Sequence, residues 1–174
     1  KFKMYSQEIK IPQKRIAVLI GKKGETKKLL ERKTKTTIHV TKEGEVTITS
    51  EDNINSFNAQ PIVTAIARGF NPDIALMLLD ESFGFELISI KQFSRNDKDL
   101  LRIRSRIIGT DGTARKMLET LTETFISVYG KTVAIIGKTE NIDLSKRAIE
   151  KLLGGAPHGN VYQFIEMQKK SDLI

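Results

Sequence analysis

The chain has no cysteine and no tryptophan, and its 174 residues include only two histidines, His39 and His158. Without cysteine there is no disulfide framework, no zinc finger and no thiol nucleophile. Two histidines are too few for most histidine-based metal or triad chemistry. The three tyrosines and eight phenylalanines do not supply an aromatic platform for stacking successive bases. Long apolar runs are missing too. Ile16–Ile20 and Ile74–Leu79 fall far short of the ~20 residues that cross a bilayer. The first residues alternate lysine with apolar side chains and lack a signal-peptide core, so a cytoplasmic, non-membrane protein is expected.

Positive charge is abundant and concentrated. The net charge is +8, and residues 1–42 hold 13 Lys/Arg against three acids, a balance of +10. Residues 43–91 hold two against eight (−6), and residues 92–174 hold 14 against ten (+4). So concentrated a basic block favours an anionic partner, nucleic acid foremost.

The sequence repeats itself. Residues 20–40 (IGKKGETKKLLERKTKTTIHV) align without a gap on residues 108–128 (IGTDGTARKMLETLTETFISV), with ten identities in 21 positions at an offset of 88. The same register reappears at Asn53-Ile54 and Asn141-Ile142. A period of that size is a domain length, so two domains of one fold are expected, not a solenoid.

Both copies parse as β-α-α-β-β-α. In the first, Glu8–Ile11 alternates like a strand and Pro12 suits the first turn of a helix through Ile20. After a turn at Gly21–Gly24 come a helix over 25–34, strands over 37–41 and 45–49, and a helix over 54–68 closed by Gly69. Pro61 is expected to kink or weaken that last helix unless it lies near the helix start. The second copy reads as strand 85–91, helix 97–108, turn Gly109–Gly112, helix 113–123, strands 125–129 and 132–136, and helix 141–153. A linking helix over 71–81 and an extra helix over 158–170, after the Gly154-Gly155-Ala156-Pro157 break, complete the chain. The expected domains are 1–70 and 85–174, the latter with its C-terminal extension, joined by a linking segment over 71–84. The apolar run 74–79 is expected to lie between the two domains of a rigid monomer.

A lone Gly-x-x-Gly is uninformative, but here it occurs twice, each time after an apolar helix ending in Ile and before a helix bearing Lys or Arg. The absent side chains let a sugar-phosphate backbone approach, and the following helix N-terminus favours phosphate. In the first copy Gly21, Lys22, Lys23 and Gly24 are followed by Lys27 and Lys28, a set of phosphate counter-charges. In the second, Gly109, Thr110, Asp111 and Gly112 put a carboxylate in the turn, and Arg115 and Lys116 follow one turn later. Arg102, Arg104 and Arg106 precede it on a helix that cannot present all three on one face, and Arg106 is the one placed with the binding residues. Ile20 and Ile108 are placed either against base faces or in the core. On charge alone, the first copy is the better RNA binder.

This context resembles the KH domain, whose Gly-x-x-Gly loop clamps single-stranded nucleotides. The resemblance implies an α+β fold of two tandem type I KH domains. With the tail Leu152–Tyr162, it extends to the archaeal members of the small-ribosomal-subunit assembly KH proteins. Those proteins accompany the endonuclease that matures the 3′ end of small-subunit rRNA. What the resemblance implies is binding of single-stranded RNA at or near that 3′ end, without catalysis and without a cofactor. It also implies that the second copy is the principal reader, against the charge argument, with the first as an auxiliary phosphate contact or docking surface. The implied partners are the rRNA endonuclease, the rRNA dimethyltransferase and the alpha subunit of the initiation factor that delivers initiator tRNA. A general KH-type regulator of mRNA is the alternative. His158, Val161 and Tyr162 are expected to pack the last helix onto the second domain.

Enzyme readings find little purchase. Gly130-Lys131-Thr132 and Gly137-Lys138-Thr139 end like a P-loop, yet Phe125 and Thr132 stand where its first glycine is required. Both tripeptides are expected beside a strand, as a hairpin turn and a strand end. The adjacent carboxylates Glu51-Asp52 and Asp80-Glu81 point apart on any regular element and do not form a metal cluster.

Overall fold

The structure is a computed structural model that describes residues 3–174. The chain divides into two compact units, one ending at Glu81 and the other beginning at Ser82. The first holds β1 (Tyr5–Lys10), α1 (Gln13–Ile20), α2 (Glu25–Thr34), β2 (Thr37–Val40), β3 (Glu45–Ser50), α3 (Asn53–Ala67) and α4 (Pro72–Ala75). The second holds β4 (Phe83–Ser89), α5 (Asp97–Ile108), α6 (Thr113–Thr122), β5 (Thr124–Tyr129), β6 (Thr132–Lys138), α7 (Thr139–Leu153) and α8 (His158–Ser171). Each unit has a three-stranded antiparallel sheet with its third strand in the centre, in orders β1-β3-β2 and β4-β6-β5.

The core of each unit lies between sheet and helices. Leu19, Leu30, Ile38, Ile48, Ile62 and Ile66 are fully buried in the first, and Ile107, Leu118, Ile135 and Ile149 in the second. On β3 the alternation is strict: Val46, Ile48 and Ser50 are buried while Glu45, Thr47 and Thr49 are not. In α5 the buried residues Leu100, Ile103 and Ile107 follow the helical repeat. Three of the four prolines open helices, with Pro12 and Pro157 just before α1 and α8 and Pro72 first in α4. At these positions the missing N–H has no intrahelical partner to lose.

The fourth proline lies inside a helix, since α3 continues through Pro61 as the expected helix over 54–68 requires. The N–H that proline lacks would have served the carbonyl of Phe57, and Phe57 is exposed, on a side of the helix where such a loss costs least. Corrections of extent follow from strand pairing. β1 begins at Tyr5, paired with Ser50, and β4 begins at Phe83, paired with Lys138. β4 ends at Ser89, where a 3-10 turn over Ile90–Phe93 takes over. The segment after α3 is also not one helix: α4 gives way to a 3-10 turn, Leu76–Leu79, and both pack on α3 within the first unit. Only Ala75 of the apolar run is fully buried, while Met77 and Leu79 are exposed.

The repeat register also changes along the chain. Ile38 pairs with Ile48, and Ile126 with Ile135, so the offset of 88 on the second strand becomes 87 on the third. Between α3 and α7 it is 86, at both the first and the last residue. The match of Asn53-Ile54 with Asn141-Ile142 is therefore a coincidence of letters. The largest difference lies upstream. Only Ile11 and Pro12 separate β1 from α1, whereas Ile90–Asn96 separate β4 from α5, and α5 is 12 residues long against 8 for α1.

Candidate nucleic-acid interface

The two Gly-x-x-Gly turns have the same backbone. Gly21 and Gly109 stand at φ 74°, ψ 173° and φ 73°, ψ 175°. Lys23 and Asp111 are left-handed at φ 54° and 55°, and Gly24 and Gly112 at φ 76° and 75°. Each turn closes with a bond from the second glycine N–H to the first glycine carbonyl, 3.1 Å and 3.2 Å. The left-handed middle position explains the carboxylate that is electrostatically out of place: aspartate tolerates this conformation better than most side chains.

The glycines of each turn have separate tasks. A Cβ on Gly21 would lie 2.2 Å from the Thr26 hydroxyl oxygen, and one on Gly109 would lie 2.7 Å from both the Cβ and N of Ala114. The first glycine is thus needed to seat the turn on its own helix. A Cβ on Gly24 would meet nothing within 4 Å, and one on Gly112 only the ends of Arg115 and Lys116, 3.8 Å and 4.0 Å away. The second glycine faces open space. It begins a helix, α2 or α6, whose start has no side-chain cap. The positive end of the helix dipole therefore meets an unobstructed backbone, an arrangement suited to phosphate.

The charged residues chosen from the sequence divide between surface and scaffold. Lys22, Lys23, Lys28, Thr110, Asp111 and Lys116 are exposed. Lys27 instead pairs with Glu31 (3.3 Å) and donates to the Ile38 carbonyl (3.1 Å), while Glu31 accepts the Ile38 N–H (2.9 Å). Arg115 pairs with Glu119, which accepts the Ile126 N–H at 2.9 Å. This brace ties the helix after each turn to the second strand. Other repeat identities are scaffold as well. Thr34 and Thr36 share a buried hydroxyl contact of 2.7 Å, and Thr122 and Thr124 one of 2.8 Å.

Arg106 is also held by the fold. Its guanidinium donates to the carbonyls of Leu152 (2.9 Å) and Ala156 (2.8 Å), and its own carbonyl is 2.8 Å from His158 Nε2. Arg15 makes the matching clamp in the first unit, to Ile66 (2.8 Å) and Phe70 (2.9 Å), from another position on its helix. Arg102 pairs with Asp99 at 2.7 Å. The Arg95 N–H, and then Arg102, hold the Asp99 carboxyl below the usual aspartate range. Arg104 has no such partner among the described residues. Ile20 and Ile108 are half-buried beside the glycines. α8 lies on α6 and α7, with Val161 and Ile165 buried, and burial pushes the Tyr162 phenol up.

The P-loop-like tripeptides separate. Gly130-Lys131 forms the β5–β6 turn, while Gly137-Lys138-Thr139 runs into α7, a helix start that the sequence reading did not expect there. Thr139 spends its hydroxyl on the Ser82 carbonyl at 3.1 Å. Among the described residues no group of acidic or histidine side chains is placed to hold a metal ion, and no helix is long and apolar enough to cross a membrane.

Residues 84–170 match the family described as a eukaryotic type KH-domain (KH-domain type I), and residues 6–61 match the KH domain. The chain is 40% identical over 166 residues to a KH domain-containing protein of Methanocaldococcus jannaschii, covering 93% of this chain and 73% of that protein. It is 36% identical over 107 residues to the pre-rRNA-processing protein pno1 of Emericella nidulans, covering 59% of this chain. The chain spans only 41% of that relative's length. The crystal structure of the a/eIF2alpha–aDim2p–rRNA complex from Pyrococcus horikoshii contains a chain of 47% identity and TM-score 0.90, with 98% of this chain and 97% of that one covered. Two type I KH units with matched Gly-x-x-Gly turns, and relatives of this kind over nearly the whole length, place the chain in the tandem KH-domain family of PNO1/Dim2 pre-rRNA-processing proteins.

Proposed function

We propose that this chain binds single-stranded RNA at or near the 3′ end of small-subunit rRNA or its precursor, as an assembly factor and not as the catalyst. The observation that carries this reading is the pair of matched turns. Each has a ligand-side glycine open to solvent and an uncapped helix start behind it. The relative solved with rRNA and the initiation-factor alpha subunit, at 47% identity, supports RNA of this class as the ligand and that subunit as a partner. The rRNA-maturing endonuclease and the rRNA dimethyltransferase are the further partners of this proposal. The second unit is the sequence reader, on Gly109, Thr110, Asp111, Gly112 and Lys116. The first supplies charge through Lys22, Lys23 and Lys28, whose local excess is the largest in the chain. Crosslinking in cells followed by sequencing of the bound RNA tests this. Enrichment at the 3′ end of small-subunit rRNA is expected. Enrichment on messenger RNA, with none on rRNA, would overturn the assignment.

A further inference from the structure

The helix before the second turn carries three arginines, and the structure accounts for two of them. Arg102 is paired with Asp99, and Arg106 is clamped on the end of α7. Arg104 is half-buried, its Nε has no partner, and no ion pair or hydrogen bond reaches its side chain among the described residues. A guanidinium donor withdrawn from water and left unpaired is unfavourable, so a native one calls for an explanation, a ligand among them.

Its place on the helix points to one. At 100° per residue, Asp99, Arg102 and Arg106 share the flank of α5 that meets the end of α7, and Leu100, Ile103 and Ile107 face the core. Leu101, Arg104 and Ile108, spaced i, i+3 and i+7, line the opposite flank and run directly into Gly109. Leu101 is 58% exposed, and Ile108 is half-buried. That flank is apolar at either end, with a single cation between, beside the turn proposed to hold the RNA backbone. The first copy has Ile16 at the corresponding position, 88 residues earlier. The difference lies in chemistry, not in fold.

We infer that Arg104 is a specificity-determining residue of the second KH unit, reading a base with two adjacent acceptors. Guanine offers O6 and N7, and cytosine O2 and N3, to the planar fork of a guanidinium. Adenine and uracil each present a donor at one of the paired positions and are rejected. The inference rests on the RNA-binding reading above and adds to it the residue and the base class.

The test uses the full chain as wild type, Arg104→Ile (the first copy's own residue) and Arg104→Lys. Anisotropy is measured with RNAs of about ten nucleotides from the small-subunit rRNA 3′ end, each G or C replaced in turn by A or U. Wild type should lose roughly 10–100-fold in affinity at one position, the worth of one bidentate base contact. Arg104→Ile should lose that discrimination alone, keeping the rest and its salt dependence. Arg104→Lys, which keeps the charge without the fork, should also discriminate poorly, and it decides the matter if the Ile variant melts early. A 7-deazaguanine at the sensitive position, if it is a guanine, should reproduce the loss; a loss on C→U replacement identifies cytosine. Unchanged discrimination in both variants would overturn the inference. So would a salt slope lowered by about 0.7, which marks a phosphate contact instead. Wild-type protein that does not prefer the rRNA sequence over a scrambled one would remove the RNA reading itself. Preference retained equally in all three proteins would remove only the role of Arg104.

Discussion

Placing a methyl group on each glycine of the second turn separates folding from binding. Gly109 lies at φ 73°, ψ 175°, a region that only glycine visits freely and that costs other residues about 1–3 kcal/mol. Its Cβ would also press on Ala114 at 2.7 Å, an overpacking worth a further ~1–3 kcal/mol. Gly109→Ala should therefore destabilise the second unit by about 4 kcal/mol. Gly112 lies at φ 75°, ψ 15°, ordinary left-handed backbone costing about 1 kcal/mol for alanine, with open space around the new methyl. For a domain of this size each kcal/mol lowers the melting temperature by about 4–8 °C. The Gly112→Ala variant should thus melt about 4–8 °C low and the Gly109→Ala variant roughly 15 °C low or more. NMR signals of Ala134 and Ile135 in the central strand report on this unit alone. In RNA binding the order reverses. Measured well below both melting points, Gly112→Ala should lose on the order of tenfold in affinity, because its methyl occupies the space a sugar-phosphate backbone needs. Equal destabilisation by the two substitutions would refute the division of labour between the glycines. Full affinity in Gly112→Ala would refute passage of RNA over this turn.

Two further outcomes test the sorting of charges. Alanine at Lys22, Lys23 and Lys28 together should lower the slope of log K against log salt by about 2, roughly 0.7 for each phosphate contact, without changing the melt. Lys27→Ala should instead lower stability by about 1 kcal/mol, a hydrogen bond's worth, and leave the slope alone; titration over a salt series with parallel melts reads both. Arg106→Ala frees two carbonyls at the end of α7 and should destabilise the second unit by about 2–3 kcal/mol. His158→Ala should cost about 1 kcal/mol. A fully stable Arg106→Ala protein that binds RNA weakly would move this arginine from scaffold to ligand.

The elements around the turns were legible because their signals are local. A turn glycine bounds each of helices 25–34 and 97–108 at one end, Gly24 before the first and Gly109 after the second, and those two ranges match the structure residue for residue. Extents set by pairing were less visible: nothing in Tyr5-Ser6-Gln7 announces a strand until Ser50, Thr49 and Ile48 stand opposite. The register of the repeat was misleading beyond the second strand, since the shorter β5–β6 turn and a change before α7 remove one residue each from the offset. Among the proposed binding residues, charge and spacing singled out the exposed lysines but could not see that Lys27 and Arg115 are tied to glutamates, or that Arg106 caps a helix end. A half-buried arginine without a partner among the described residues has no sequence signature, and three arginines at alternate positions gave no means of choosing Arg104.

The coincidence of the two turns has a bearing on how a duplicated domain diverges. Lys22-Lys23 and Thr110-Asp111 share almost nothing chemically, yet their backbones superpose in every torsion given above. Shape is dictated by the bracketing glycines and by the helix behind them, so the middle pair is free of architectural duty. One copy can accumulate positive charge and the other lose it by single codon changes, with no refolding and no loss of the ancestral loop. Exchange of the two dipeptides between the copies should therefore transplant the electrostatic character of each loop intact, which makes the pair a natural cassette for redesigning where along an RNA strand a tandem protein of this kind holds most tightly.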